Sequence, residues 1–273
     1  MKTKHTYLKK SLGQHLLLSY AMCDKIALSS PEVKNSCILE IGPGTGHLTK
    51  SIIKLGPSKL IAIEKDTRMK QYLTPLQSRC KVLEVIYEDI LASKFLLSIS
   101  EPTNIIANIP YNISSPILLF IVRNAKKIRS ATITLQKEVA ERVCASHNTK
   151  KYGRLSVLCQ SIFHCSKLMD IPRQFFYPTP SVDSCTILLT QKEYPIPTSH
   201  LTALENITKS AFTQRRKMIK TSLSRVWNNT SCIFNALSIN GNIRAENISV
   251  DLYVQLAKHW IECGCKELLY SDA

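Results

Sequence analysis

Short apolar runs alternate with helix-like segments through the first half of the chain, and few folds accommodate that pattern. The runs are CILEI (37–41), KLIAI (59–63), KVLEVI (81–86), NIIAN (104–108) and ATITLQ (131–136). Between them, GHLTKSIIKLG, DTRMKQYLTPLQ and SPILLFIVRNA carry apolar residues at amphipathic-helix spacing. Such alternation predicts βαβ units and a mostly parallel sheet. After about residue 160 the pattern changes: IFHCSKLMDI and SCTILLT follow each other without a long helix, which predicts an antiparallel edge on that sheet. QKEYPIPTSH (191–200), with two prolines in three residues, reads as a linker. Beyond it LTALENITKSAF, RRKMIKTSLSRVW and VDLYVQLAKHWIE are helical in period, the last behind Ser249 as N-cap. The expected fold is α/β: a sheet domain over 1–195 and a small all-helical domain over 196–273.

Three of the chain's eight glycines, Gly42, Gly44 and Gly46, fall within five residues of LEIGPGTGHL, where the first strand should turn into the first helix. Glycine permits a tight turn at positive φ and lets a ligand approach the backbone without meeting a Cβ. Glu64 follows at the end of the second strand, where a carboxylate can accept both hydroxyl hydrogens of a ribose. The E-x-G-x-G-x-G spacing is not the G-x-G-x-x-G that seats a pyrophosphate. It favours S-adenosylmethionine, whose amino-acid part passes such a turn. Asp89, in YEDIL after the third strand, is then placed to hydrogen-bond the exocyclic amine of the cofactor's adenine. The bland alternative is a turn with two ordinary loop acids.

NIPYNISSP (108–116) closes the fourth strand, on the carboxyl edge of the sheet where open α/β sheets bind ligands. The Asn108 side-chain oxygen and a backbone carbonyl near Pro110 offer two acceptors in a small space, which suits an NH₂ group. Tyr111 adds a flat face for an aromatic base. An adenine amine is a poor nucleophile because its lone pair is delocalised into the ring. Two acceptors on its hydrogens favour a pyramidal nitrogen, so positioning carries the catalysis and no general base is needed in the transition state. The alternative is a polar turn capping a helix from Ser114.

Lys and Arg number 36 against 20 Asp and Glu, a net charge of +16 that points to a polyanionic partner. The excess is +13 over residues 1–190 and +3 over 191–273. No stretch approaches the ~20 apolar residues of a membrane span. MKTKHTYLKKSLGQH is basic and lacks the apolar core of a secretory signal, so it reads as a mobile arm seeking a polyanion in a cytoplasmic protein. The ten cysteines are expected to be reduced and mostly buried, and Cys263 with Cys265 is a lone Cys-x-Cys without a second ligand pair, so no metal is expected. Basic residues crowd 123–154: Arg123, Lys126, Lys127, Arg129, Lys137, Arg142, Lys150, Lys151 and Arg154, against Glu138 and Glu141. That is either a solvated face or, together with Arg215, Arg216 and Lys217, a phosphate grip.

The chain resembles the small-subunit ribosomal RNA adenine dimethyltransferases through an ordered set of segments: SLGQHLL, EIGPGTG, IEKD, EDIL, ANIPYNISSPIL, LQKEVAERV, YGRLSVLCQ, FFYPTPSVDS, AFTQRRK and RAENISV. The resemblance implies a Rossmann-like methyltransferase sheet with His15, Leu17, Gly42, Gly44, Glu64, Asp89 and Asn108 around S-adenosylmethionine. It implies that Asn108, Pro110 and Tyr111 hold the target adenine and that Phe176 stacks on its other face. It further implies methyl transfer to N6 of two adjacent adenosines, two methyls each, in a hairpin near the 3′ end of small-subunit ribosomal RNA, within the assembling subunit. The expected state is a monomer. The chain departs from the family in GQHLL, where Asn and Phe are frequent at the third and fourth positions, and in YPTPSV, where Thr179 and Ser181 stand for Pro and Lys. Rivals from other classes are a non-catalytic assembly factor and a nicotinamide-dependent oxidoreductase. Within methyltransferases, the rival is the large-subunit adenine methylase of macrolide resistance, against which the helical C-terminal part speaks.

Overall fold

A computed structural model describes residues 15–93, 95–98, 103–193, 195–224, 226–227 and 230–263. The basic arm before His15 lies outside them, as does Cys265. The elements in order are β1 (Leu16–Leu17), α1 (Tyr20–Leu28), β2 (Cys37–Ile41), α2 (His47–Lys54), β3 (Lys59–Ile63), α3 (Lys70–Arg79), β4 (Leu83–Ile86), α4 (Phe95–Ser98), β5 (Thr103–Asn108) and α5 (Ser114–Arg123). There follow β6 (Ile128–Gln136), α6 (Lys137–Val143), α7 (Arg154–Gln160), β7 (Phe163–Ile171), β8 (Phe176–Tyr177), β9 (Ser184–Gln191), α8 (Thr198–Thr213), α9 (Ile219–Leu223), α10 (Thr230–Ala236) and α11 (Val250–Glu262).

Seven strands form one sheet in the order β4-β3-β2-β5-β6-β9-β7. β4 through β6 pair in parallel, and β9 runs antiparallel to β6, as the apolar runs predict. The strand order reverses between β2 and β5, which opens a crevice at the carboxyl ends of those two strands. Register decides what meets there. Ile41 lies opposite Ile63 on one side and Ala107 on the other, so the next residues, Gly42, Glu64 and Asn108, fall in one row at the sheet's edge. The central strands are buried on both faces, which is why β2, β3 and β5 are continuous apolar runs.

A separate two-stranded ribbon pairs β1 with β8 antiparallel, Leu16 opposite Tyr177 and Leu17 opposite Phe176. The Leu18 amide extends it by donating to the Phe175 carbonyl at 3.0 Å. α1 starts directly after this ribbon because the Ser19 hydroxyl accepts from the Met22 amide at 3.4 Å.

The chain divides into two compact units, Met1–Ala140 with Ser166–Gln191, and Glu141–Cys165 with Lys192–Ala273. The division falls in two places where the sequence suggests one cut at 195. Residues 141–165 go with the helices because Tyr152 is fully buried there, its ring 6.0 Å from Phe212, which in turn lies 5.8 Å from Tyr253. Ser249 caps α11, accepting from the Leu252 amide at 3.3 Å. The predicted helix over RRKMIKTSLSRVW is confined to α9, since Met218 is held in a bridge to Arg244. Of the eight described free cysteines only Cys23, Cys159 and Cys185 are buried; Cys37, Cys80, Cys144 and Cys165 are half-buried and Cys263 is exposed. No helix of the described residues is long and apolar enough to cross a membrane.

Candidate active site

The glycine turn between β2 and α2 takes the conformation that its composition demands. Gly42, Gly44 and Gly46 have φ of 69°, 57° and 80°, the left-handed region that costs other residues strain. A Cβ on Gly42 would meet nothing within 4 Å, so its face of the turn opens on free space. A Cβ on Gly44 would lie 2.9 Å from Leu16 Cδ2, because β1 crosses above the turn. An open cleft is lined by Leu16, Leu17, Gly42, Pro43, Thr45, His47, Leu48 and Asn108.

Glu64 sits buried at the tip of β3, where the amides of Gly44 (3.0 Å) and Asp66 (2.7 Å) donate to its carboxylate. Burial pushes its pKa up and these amides oppose the shift. Each oxygen has one amide donor here and keeps a further acceptor position for a hydroxyl. Asp89 lies in the loop after β4, half-buried; Lys65 bonds one oxygen at 2.7 Å and the Leu91 amide the other at 3.0 Å. The Lys65 hydrogen bond is the main reason its pKa is lowered, and it keeps Asp89 an acceptor. Lys65, next to Glu64 in sequence, is a residue that motif reading missed.

Asn108 ends β5, and its Nδ2 donates to the His15 carbonyl at 3.3 Å. That bond fixes the amide: with nitrogen committed to the backbone leading into the β1–β8 ribbon, which straps the edge of the site, Oδ1 is left as acceptor. Pro110 begins a tight turn in which its own carbonyl accepts from the Ile113 amide at 3.1 Å. The carbonyl beside the proline that the turn does not use is therefore that of Ile109. The Tyr111 ring is anchored at its hydroxyl, 2.7 Å from Ser184 Oγ on β9, and burial raises its pKa, so it stays neutral. His15 lies against it, ring centres 5.0 Å apart and planes 34° from parallel, while its Nδ1 donates to the Pro178 carbonyl at 2.7 Å. His15 thus joins Asn108, Tyr111 and the β8 strap, a role invisible in a residue that departs from the family pattern.

Two further expected residues lie on the ribbon. Leu17 and Phe176 are cross-strand neighbours, only 4% and 3% exposed, inside the apolar cluster with Cys23, Ile26, Ile52 and Ile106. Leu17 still borders the cleft. Phe176 is buried in that cluster, and its neighbour Tyr177 is 43% exposed.

Glu40, the glutamate of E-x-G-x-G-x-G, is a buried group to which the sequence assigns no role. It is 1% exposed, and neither carboxyl oxygen has a hydrogen-bond partner. Burial, with a smaller contribution from the Glu64 charge, pushes its pKa up to about 8; the Thr49 hydroxyl on α2 tempers the shift without making a bond of its own. A carboxylate in the middle of an apolar strand was the signal available in CILEI. His47, the first residue of α2, also faces the cleft; its Nδ1 lies 2.8 Å from Thr45 Oγ1 and its ring 4.8 Å from that of Tyr20.

The cationic residues divide between the two units. In the first unit Arg123 and Lys126 are exposed and Lys127 is half-buried. In the second, Lys151 pairs with Glu141 at 2.7 Å and Arg154 with Glu205 at 3.8 Å. Arg215 is committed more fully: Nε donates to Glu246 at 2.6 Å and one terminal nitrogen to the carbonyls of Lys150 (2.6 Å) and Thr149 (3.4 Å). Lys150, Arg216 and Lys217 are exposed.

The free face of Gly42, the acceptor capacity of Glu64 and Asp89, and their common edge fit an adenosyl cofactor carrying a ribose and an amine.

Residues 5–262 match the family described as Ribosomal RNA adenine dimethylase. The chain is 35% identical over 259 residues to the Ribosomal RNA small subunit methyltransferase A of Wolbachia sp. subsp. Drosophila simulans (strain wRi), covering 93% of this chain and 94% of that protein. It is 37% identical over 254 residues to the protein of the same name from Ehrlichia ruminantium (strain Gardel), covering 91% and 95%. Among solved structures it is similar to a dimethyladenosine transferase from Plasmodium falciparum, at 25% identity and a TM-score of 0.75 over 92% of this chain and 99% of that one. The 23S rRNA methyltransferase ErmE shares the fold, with 23% identity and a TM-score of 0.68 over 89% of this chain and 98% of that one.

Proposed function

The chain belongs to the ribosomal RNA adenine dimethylase family, and we propose that it transfers methyl groups from S-adenosylmethionine to N6 of two adjacent adenosines in a hairpin near the 3′ end of small-subunit ribosomal RNA. The observation that carries this reading is the orientation of Asn108. Its amide nitrogen is spent on the His15 carbonyl, so Oδ1 and the Ile109 carbonyl remain as two acceptors beside Gly42 at the strand switch point.

S-adenosylmethionine supplies an electrophilic methyl on a sulfonium when bound. Gly42, Gly44, Glu64, Asp89 and Asn108, with Leu17 and His15 from the strap, would hold it. The rest of the work is positioning. Two acceptors take the amine hydrogens and turn the lone pair out of conjugation with the purine, while Tyr111, fixed at both its hydroxyl and its ring face, limits the base to one plane. A target base in a hairpin must leave its stack to reach such a site. Arg123, Lys126 and Lys127 of the first unit and Lys150, Lys151, Arg154, Arg216 and Lys217 of the second are the groups we assign to RNA phosphates.

Assay of radiolabelled methyl transfer to under-methylated small ribosomal subunits tests the reading. N6,N6-dimethyladenosine at two neighbouring positions is the expected product; incorporation only into large-subunit RNA, or none, overturns it. A thermal shift with S-adenosylmethionine but not with NAD is expected in parallel.

A further inference from the structure

Resting on the cofactor reading above, we propose that His47 holds the α-carboxylate of S-adenosylmethionine through its Nε2. Asp89, Glu64 and Gly42 follow β4, β3 and β2, neighbours in that order along the sheet, and Asn108 ends β5 beyond them. A cofactor with its adenine at Asp89 and its ribose at Glu64 therefore lays its amino-acid part over the Gly42 turn. The open cleft lies at that end: Gly42, Thr45, His47 and Asn108 line it, and neither Glu64 nor Asp89 does. Among the described residues no Lys or Arg lines it. A carboxylate brought there must find N–H or O–H donors, because a charge taken from water without partners is costly.

The turn itself has few donors to give. The Gly42 amide donates to the Ile63 carbonyl at 2.9 Å, the Gly44 amide to Glu64 at 3.0 Å and the Gly46 amide to the Pro43 carbonyl at 2.9 Å, while Pro43 has no N–H. Thr45 and His47 are left. The His47 ring is held from two directions, with Nδ1 2.8 Å from Thr45 Oγ1 and the Tyr20 ring 4.8 Å away. Its other nitrogen, Nε2, has no partner among the described residues. A Thr45 hydroxyl that donates to Nδ1 puts the ring proton on Nε2, so one contact sets the tautomer that a carboxylate needs. Burial, and after it the Lys50 charge, lowers the His47 pKa, so the free ring is neutral and donates from that one nitrogen.

Calorimetric titration of wild type, His47→Ala and His47→Gln decides the matter, with Tm measured for each. The probes are S-adenosylhomocysteine, its decarboxylated form, which keeps the amine, and 5′-methylthioadenosine, which lacks the amino-acid part. His47→Ala is expected to weaken S-adenosylhomocysteine roughly 10-fold or more, the loss of a hydrogen bond to a charged group, and to leave the other two within about 2-fold at unchanged Tm. His47→Gln, which keeps an N–H donor, is expected to recover most of that loss. Unchanged S-adenosylhomocysteine affinity in His47→Ala overturns the proposal, as does a His47→Gln no tighter than His47→Ala. Equal weakening of all three probes also overturns it, since His47 would then merely support the turn, and so does a loss shared by the decarboxylated form, which would place His47 at the amine. A wild-type chain that binds none of the probes removes instead the cofactor reading on which the proposal stands.

Discussion

In the first unit Glu40 is buried with neither carboxyl oxygen bonded, and Asn108 keeps its oxygen uncommitted; in the second, Arg215 gives its nitrogens to Glu246 and to two backbone carbonyls. The sheet edge around Glu40 and Asn108 leaves acceptors open, whereas the cluster around Arg215 closes them. A buried polar atom without a partner costs free energy, so a chain keeps several together only where a ligand or a reaction needs them. A cation whose donors are already satisfied contributes to the fold and has little left for a phosphate. The comparison therefore separates groups that work on a substrate from groups that hold the scaffold, which sequence clustering alone does not do.

The largest effect that can break the comparison belongs to Asn108. Asn108→Ala removes one of the two acceptors and the bond to the strap, and transfer should fall by roughly 10²–10³-fold, as for loss of one preorganised polar contact in other enzymes. Affinity for the small subunit should stay within about 2-fold, because binding comes mainly from phosphate contacts. A parallel loss of affinity would place Asn108 among the scaffold groups.

Glu40 comes next. Its folded pKa lies near 8 against an ordinary 4.5. Between those values the unfolded chain has released the proton and the folded chain still holds it, so stability declines as pH rises through that window and levels off above it. Glu40→Gln removes the titration. Relative to wild type the variant should gain roughly 2–4 kcal/mol on going from pH 4.5 to pH 8, given ~1.4 kcal/mol per pH unit. Denaturant unfolding at both pH values measures it, and a constant difference between the two proteins would mean that Glu40 is ionised when folded.

How much of this was legible follows the range of the contacts. β2, β3 and β5 were readable because each is a local apolar run, and the row of Gly42, Glu64 and Asn108 follows from where those runs stop. The β1–β8 ribbon was not: two residues pair with two others some 160 positions away, too short to leave a period. That ribbon is what buries Leu17 and Phe176 against α1, a packing that no motif shows. The same holds for Tyr152, whose packing against Phe212 draws 141–165 into the helical unit. Glu40 was legible as the first position of the glycine motif, but its burial among Ile38, Leu39 and Ile41 was not read from it.

The smallest effects test the scaffold side, and they require treating neighbours in AFTQRRK separately. Arg215 and Arg216 are adjacent in sequence and alike in charge, but Arg215 is half-buried and bonded to three partners, and Arg216 is exposed. Arg215→Ala leaves Glu246 and the carbonyls of Thr149 and Lys150 to water at a partly exposed site, so the loss should be about 1 kcal/mol of stability, with the salt dependence of RNA binding unchanged. Arg216→Ala should do the reverse, leaving Tm alone and reducing the slope of log affinity against log salt by about one, the release of a single phosphate contact. Measured together, the pair shows whether a charge counted from the sequence is still available after folding. If Arg215→Ala flattened the salt slope as much as Arg216→Ala, its contacts to Glu246 and the carbonyls would be exchanged for phosphate when RNA binds, and the division between working and scaffold groups would fail at that residue.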